Sequence, residues 1–92
     1  MKRPKPYDIV VSLAGHDRGK LFMVTAIAGE RLLLCDGRNR KLEDPKCKSP
    51  KHVRLVAERS DAPATDKEIR QTLAQAALEM AAAKEGKLLG ER

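Results

Sequence analysis

Glycine, proline and β-branched residues recur so closely through residues 7–56 that a long helix is disfavoured there. The apolar runs between them are short and contain many β-branched residues, which is typical of strands. Two of the connections carry tight-turn signals: the first contains Gly29, and the second is the pair Asp36-Gly37. This pattern predicts several short antiparallel strands in this part of the chain.

The predicted fold is mainly β. We expect strands at residues 9–13, 21–27, 31–35, 38–42 and 52–56. In the last of them Val53 and Leu55 should face the core and Arg54 the solvent, because side chains alternate along a strand. Residues 43–51 contain two prolines and several lysines, so we expect an exposed loop there. Five short strands joined mainly by tight turns favour a small antiparallel barrel over a flat sheet with exposed edges.

A helix is predicted towards the C-terminus. Thr65 followed by Glu68 matches a capping box, in which the two side chains satisfy backbone N–H groups at the helix start. Gly86 is the expected stop. These signals divide the chain into a flexible basic arm, a β domain, a linker, a helix and a tail. Their predicted ranges are residues 1–6, 7–57, 58–64, 65–86 and 87–92.

The predicted helix carries a thin apolar stripe. Its members fall at helical spacing on one face: Ile69, Leu73, Ala76, Ala77 and Met80. Many residues around them are alanines, which favour a helix but offer little area to bury. The helix is therefore expected to form readily and to dock weakly. Two roles stay open for it, a packing element against the β domain or a surface for a protein partner.

Positive charge is concentrated in the N-terminal part of the chain. Residues 1–56 carry thirteen basic and six acidic side chains, whereas residues 57–92 carry six basic and seven acidic ones. A concentrated positive field favours polyanionic partners, chiefly nucleic acid, with acidic proteins and anionic lipid surfaces as weaker candidates.

Residues 8–24 resemble a KOW motif: a strand, a glycine loop with a basic-Gly-Lys run, and a second strand. A KOW motif commonly has a glycine before the first strand, where this chain has Tyr7-Asp8. Residues 34–46 and 50–53 extend the likeness to the short bacterial KOW-domain RNA-binding proteins, which are similar to certain eukaryotic and archaeal large-subunit ribosomal proteins. The resemblance covers about residues 7–57 and implies an SH3-like barrel that binds RNA.

Two basic segments form the predicted RNA-binding surface. In the first loop, glycines let the backbone approach a phosphate, while Arg18 and Lys20 supply charge-assisted donors. Residues 38–54 carry seven basic side chains against two acidic ones, and the alternative for them is a charged edge strand that prevents aggregation. The turns are expected to be shaped by Gly15, Gly19 and Gly37. The predicted RNA-binding residues are Arg18, Lys20, Arg38, Arg40, Lys41, Lys46, Lys48 and Lys51.

No motif indicates catalysis, a metal or a cofactor. Cys35, Cys47 and His52 lack the spacing of a zinc knuckle, and the first glycine loop lacks the spacing of a nucleotide-binding phosphate loop. No apolar stretch approaches the roughly 20 residues of a membrane span. We therefore expect a cytoplasmic, non-enzymatic protein with reduced cysteines, no cofactor and no membrane partner.

Aromatic residues make up only 2% of the chain, so base stacking on aromatic platforms is not expected. The sequence predicts a module that recognises structured RNA through phosphate contacts and associates with the ribosome. The alternative is a protein-interaction module that docks on transcription or translation machinery and has incidental RNA affinity. A protein partner would then use the C-terminal helix.

Overall fold

The computed structural model describes the backbone of residues 3–90 and, within the C-terminal helix, side chains as far as residue 82. It contains five strands and one α-helix, in agreement with the predicted mainly β fold. The elements are β1 (Ile9–Ser12), β2 (Leu21–Ala28), β3 (Arg31–Cys35), β4 (Lys46–Lys48), β5 (Val53–Ala57) and α1 (Asp66–Gly90). One 3-10 turn, Pro50–His52, leads into β5.

The strands form one antiparallel sheet in the order β4-β3-β2-β1-β5. Chain neighbours β1, β2, β3 and β4 pair in succession, and β5 returns to pair with β1. Within the part of the chain that the structure describes, β4 and β5 do not pair with each other, so the sheet is not closed into a barrel. Register shifts lie in the β1–β5 and β2–β3 pairings, and such bulges increase the bend and twist of a sheet.

The predicted strand at residues 38–42 is wrong. The carboxylate of Asp36 accepts hydrogen bonds from the backbone N–H groups of Arg38 at 2.8 Å and Arg40 at 2.9 Å. An Asp side chain that captures nearby N–H groups competes with strand pairing, and here it curls the chain into a loop. On the side of β3 away from β2, the strand that pairs with it is instead β4. This strand lies inside the segment predicted as an exposed loop. A short lysine-rich strand is well suited to this position, because β4 lies at the edge of the sheet.

Both faces of the sheet bury apolar side chains. On one face Ile9, Met23 and Cys35 pack against the helix. The opposite face buries a second cluster from four strands: Val10, Phe22, Val24, Leu32, Leu34 and Val53. In the described part of the chain α1 packs on the first face, so the second cluster is buried among the strands themselves, whose register shifts favour bending of the sheet. Val53 is buried as predicted, whereas Leu55 is only half-buried.

The start of α1 agrees with the predicted cap. The Thr65 hydroxyl accepts a hydrogen bond from the Glu68 N–H at 3.2 Å, and the Glu68 carboxylate accepts one from the Ala64 N–H at 3.0 Å. The predicted stop at Gly86 is wrong, because α1 continues to Gly90. An interior glycine costs a helix only about 1 kcal/mol, so it does not by itself end one. Of the predicted tail, residues 91–92 lie outside the described part of the chain.

Only the first half of the described helix packs on the sheet. Ile69, Leu73 and Ala76 are buried, as the predicted stripe requires. Ala77 is exposed and Met80 is 41% exposed, so the stripe does not continue through them. The described side chains from residue 77 to residue 82 are all exposed. As far as its side chains are described, to residue 82, the helix docks through its first turns.

The chain enters β1 through a sharp turn at Tyr7, which has a φ of 77°. Behind this turn the buried Asp8 carboxylate accepts hydrogen bonds from the Lys5 ammonium at 2.8 Å and from the Arg59 N–H at 3.1 Å. Burial on its own raises the Asp8 pKa, but these bonds outweigh that effect and leave the pKa below its usual value. Asp8 thus joins the end of the basic arm to the segment that follows β5.

The helix start is held against the loop that follows β3. Arg70 Nη1 donates a hydrogen bond to the Gly37 carbonyl at 2.7 Å, and the Leu42 N–H donates one to Asp66 Oδ1 at 2.7 Å. Gly37 has a φ of 79°, and a Cβ at this position would overlap the Asp66 carbonyl oxygen. Gly37 is therefore required both for the turn and for the close approach of the helix.

We expect Gly37→Ala to lower the free energy of unfolding by about 3 kcal/mol or more, since it adds a backbone clash to the strain of a positive φ. Gly19→Ala is the matched control, because Gly19 also has a positive φ but faces open space, and its expected cost is about 1 kcal/mol. Urea unfolding followed by circular dichroism measures both. Equal losses in the two variants would contradict the close packing of α1 on this loop.

Candidate nucleic-acid interface

The first loop connects β1 to β2 and is fixed by its own backbone. Gly15 and Gly19 adopt φ values of 86° and 87°, which glycine reaches without the strain of a side chain. The Gly19 N–H donates to the Ser12 carbonyl at 2.8 Å, and the Lys20 N–H donates to the Asp17 carbonyl at 2.9 Å. These contacts confirm the predicted turn and leave the side chains of Arg18 and Lys20 exposed.

Beneath the loop lies a buried polar cluster, which we call the Asp17 cluster: Ser12, Asp17, Lys46 and Lys48. The Lys48 ammonium donates to Asp17 Oδ1 at 2.8 Å, to the Ser12 hydroxyl at 2.8 Å and to the Ala14 carbonyl at 2.9 Å. Ser12 also donates to Asp17 Oδ1 at 2.7 Å, and Lys46 forms an ion pair with Asp17 Oδ2. The cluster connects the first loop to β4.

The pKa of Asp17 reflects these contacts. Burial on its own raises the pKa of this carboxyl, but hydrogen bonds from Lys46, Lys48 and Ser12 outweigh burial and hold the pKa well below its usual value. Asp17 is therefore ionised throughout the physiological range. Its negative charge compensates the two lysines that would otherwise repel each other beneath the loop.

Lys48 does not contribute to an accessible basic surface. Its side chain is buried, and each of its three ammonium hydrogens has an acceptor within the protein. Lys46 is half-buried. Its ammonium group pairs with Asp17, and its side chain is still partly exposed to solvent. The prediction that both lysines belong to one exposed loop does not hold, because β4 turns Lys48 inward.

A small cleft of about 130 Å³, which we call the basic cleft, brings the two predicted segments together. Its lining comes from the first loop, β2, the loop after β3, and β4: Asp17, Lys20, Phe22, Asp36, Asn39, Arg40 and Lys46. Lys20, Arg40 and Lys46 thus meet although they lie far apart in sequence. Both carboxylates in the lining are already engaged, Asp17 by the lysines and Asp36 by backbone N–H groups.

The remaining predicted residues lie around or away from this cleft. Arg38 and Lys41 are exposed on the loop after β3, which also contributes Arg40 to the cleft. Arg40 lies 3.9 Å from the Asp44 carboxylate, a distance typical of a weak surface pair. Lys51 lies on the 3-10 turn and lines a different groove, so it does not belong to the same site.

Sequence reasoning missed two residues of this site. Asp17 lies between Gly15 and Gly19 in the first loop, and nothing in its local sequence indicates a buried counter-charge. Asn39 lies between Arg38 and Arg40 and lines the cleft with a side-chain amide. An amide can both donate and accept hydrogen bonds, which suits a phosphate or a base edge.

The cysteines do not form a site with each other. Cys35 is buried and donates a hydrogen bond to the Lys41 carbonyl at 3.2 Å, and burial raises the pKa of its thiol. Cys47 is exposed on β4. Among the described residues there is no group of three or more His, Cys, Asp or Glu side chains able to hold a metal ion. No helix in the described part of the chain is long and apolar enough to cross a membrane.

No protein-family model matches the chain, and neither does any curated protein. What this surface binds must therefore be argued from its own chemistry.

Asp17→Asn should lower the free energy of unfolding at neutral pH by about 3 kcal/mol, because it leaves Lys48 buried without its counter-charge. A depressed carboxyl pKa adds stability above its unfolded value of 3.8, and that stability is lost as the pH falls through the folded pKa. The wild-type chain should therefore lose stability below about pH 4, and Asp17→Asn should show a weaker dependence. Urea unfolding at several pH values measures both effects.

Asp61→Asn is the control for this experiment, because Asp61 is exposed in the segment before α1. It should leave both the stability and its pH dependence nearly unchanged. Some acid sensitivity should remain in Asp17→Asn, since the Asp8 pKa is also lowered. Identical pH profiles for Asp17→Asn and the wild type would contradict the role given to the Asp17 cluster.

Proposed function

We propose that this chain is a non-enzymatic RNA-binding module of the KOW type, which recognises structured RNA through phosphate contacts and associates with the ribosome in the cytoplasm. The observation that carries the proposal is the convergence of Lys20, Arg40 and Lys46 on the basic cleft. Three cations from separate segments at one cleft match the way proteins position a phosphate backbone.

We also propose that the sheet belongs to the SH3-like barrel class of folds. The support for this assignment is a five-stranded antiparallel sheet with register shifts in two strand pairings, which buries a second apolar cluster on the face away from α1. A second point of support is Tyr7. Its φ of 77° lies in the region that glycine adopts most easily, and a KOW motif commonly has a glycine before the first strand, where this chain has Tyr7-Asp8.

The exposed residues around the cleft extend the positive surface. Arg18 on the first loop and Arg38 and Lys41 on the loop after β3 are free to reach neighbouring phosphates, because all three are exposed. Exposed guanidinium and ammonium groups make the charge-assisted hydrogen bonds that phosphates favour. We therefore assign RNA contact to Arg18, Lys20, Arg38, Arg40, Lys41 and Lys46.

The mode of recognition follows from the aromatic residues. Phe22 is buried in the apolar cluster on the sheet face away from α1, and Tyr7 is half-buried at the entry turn. These are the only two aromatic residues of the chain, so neither offers an open platform for stacked bases. Contacts to the backbone and shape of a folded RNA are the mode that this surface favours.

Arg38→Glu with Arg40→Glu should weaken binding to a labelled RNA hairpin by about tenfold or more at about 0.1 M salt, because it removes and reverses two phosphate-facing charges. For the wild type, about five neutralised phosphates predict a slope of about −3.5 to −4.5 in the logarithm of affinity against the logarithm of salt. The double variant should show a shallower slope. Fluorescence anisotropy across a salt series measures both quantities.

The matched control is Arg31→Glu with Arg59→Glu, which changes the net charge equally at exposed positions outside the cleft. Equal losses of affinity in both double variants would show that net charge alone governs binding. Urea unfolding of each variant separates lost binding from lost folding. A wild-type slope near zero would contradict recognition through phosphates.

Sedimentation of the tagged protein through sucrose gradients tests the association with the ribosome. We expect the wild type to migrate with ribosomal particles at low salt and to be released at high salt. The Arg38→Glu, Arg40→Glu variant should remain at the top of the gradient, while the control double variant should still migrate with the particles. A wild-type protein that stays at the top in low salt would overturn ribosome association but leave RNA binding standing.

The exposed part of α1 favours a second candidate function, a protein-interaction module with incidental RNA affinity. Leu78 is 65% exposed and Met80 41% exposed, beyond Ala76, the last buried residue among the described side chains of the helix. Replacing both with Gln separates the two functions. If RNA affinity persists while migration with ribosomal particles is lost, the helix rather than the basic cleft directs the association.

A further inference from the structure

A larger concavity, the β5 groove, lies apart from the basic cleft. Its volume is about 820 Å³, and no residue lines both sites. The groove is built from the arm, the end of β1, the 3-10 turn and β5. Its lining residues are Arg3, Pro4, Leu13, Pro50, Lys51, Val53, Arg54 and Leu55.

Apolar side chains form much of this lining. Leu13 is 44% exposed and Leu55 is half-buried, although leucine side chains usually lie in the core. The Leu13 N–H donates to the His52 carbonyl at 2.8 Å, which fixes Leu13 beside the start of β5. Because the backbone of Leu13 is fixed and its side chain is exposed, Leu13 can contact an apolar side chain of a partner.

The groove follows the edge of a strand. Val53, Arg54 and Leu55 are consecutive and all line it, although their side chains alternate between the two faces of the sheet. β5 is the last strand in the sheet order, and no strand pairs with its outer edge in residues 3–90. An unpaired edge presents backbone N–H and C=O groups to an extended peptide.

The charge of the groove selects the kind of peptide. Arg3, Lys51 and Arg54 are exposed and line it, and its lining contains no acidic residue. These three cations are complementary to carboxylates on either side of an apolar anchor. Leu13 and Leu55 give the groove apolar surface beside these cations, and this combination fits a peptide whose apolar side chains alternate with carboxylates.

We propose that the β5 groove binds an extended acidic peptide segment of a partner protein. The segment lies along β5 as an added strand. Its apolar side chains contact Leu13 and Leu55, and its carboxylates pair with Arg54 and Lys51. This binding is independent of the basic cleft, so one molecule can hold RNA and an acidic protein segment at the same time.

The experiment titrates the ¹⁵N-labelled full chain with a synthetic peptide in which aspartate alternates with leucine. We expect shifts of the backbone amide signals of Leu13 and of β5, with a Kd below about 1 mM. Leu13→Ser with Arg54→Glu should raise the Kd by about tenfold or more. Both residues are exposed, so the fold should persist. The matched control, Ile27→Ser with Arg31→Glu, changes exposed residues outside the groove and should bind like the wild type.

Two further peptides test the chemistry of recognition. Replacing aspartate with lysine removes the charge complementarity, and replacing leucine with serine removes the anchors. Both should bind more weakly. Equal binding of the lysine peptide, or no shifts in β5 at about 1 mM of the aspartate peptide, would overturn the proposal. It would also be overturned if oligouridine shifted the same amides at lower concentration, because the groove would then belong to RNA.

Discussion

The contact between the Asp17 carboxylate and the Lys48 ammonium ties the first loop to β4, and the basic cleft depends on that tie. Removing two charges from water is costly, and the cost is offset only when every polar atom finds a partner. Here Ser12 and the Ala14 carbonyl complete the partners of Lys48. The described side chains contain no buried polar atom that lacks a hydrogen-bond partner. A network satisfied in this way favours one arrangement of loop and strand over others.

The Asp17 carboxylate also reduces the repulsion among the positive side chains of the basic cleft. Lys20, Arg40 and Lys46 line one cleft, and like charges repel each other. Without negative charges nearby, this repulsion would push apart the loops that carry them. Asp17 pairs with Lys46, while Asp36 folds the loop of Arg40 around its own carboxylate. Asp17 and Asp36 are engaged within the protein, while Lys20 remains exposed and Arg40 and Lys46 remain partly exposed at the cleft. The cleft can therefore stay compact before any anion binds.

The two concavities differ in chemistry as well as in place. The basic cleft is small and polar and lies between loops on the β4 side of the sheet, whereas the β5 groove is large and apolar and lies along the opposite edge strand. The curvature of the sheet connects these features, because it buries one face without a second helix and leaves the edge strands to form surfaces. The helix contributes by holding the loop after β3 through Arg70 and Asp66.

Local sequence signals account for much of this fold. β-branched runs and glycine turns place β1, β2, β3 and β5 to within a residue or so, and Thr65 with Glu68 marks the start of α1. These features depend on neighbours in sequence, so they can be read from it. The helix stripe was predicted only in part. Ile69, Leu73 and Ala76 are buried. How far the sheet extends beneath the helix depends on the strands, so the helix sequence alone does not predict where burial ends.

The sequence by itself determined the strand-rich domain, the capped helix and the excess of positive charge in the N-terminal part. Only the tertiary structure decided which lysines meet solvent. Lys46 and Lys48 stand two residues apart in one strand, yet one reaches the cleft and the other is buried against Asp17. It also decided that β4, rather than residues 38–42, pairs with β3 and that Leu13 lines a groove. The reason is physical: these outcomes depend on partners distant in sequence, and the chain brings those partners together only when the sheet curves.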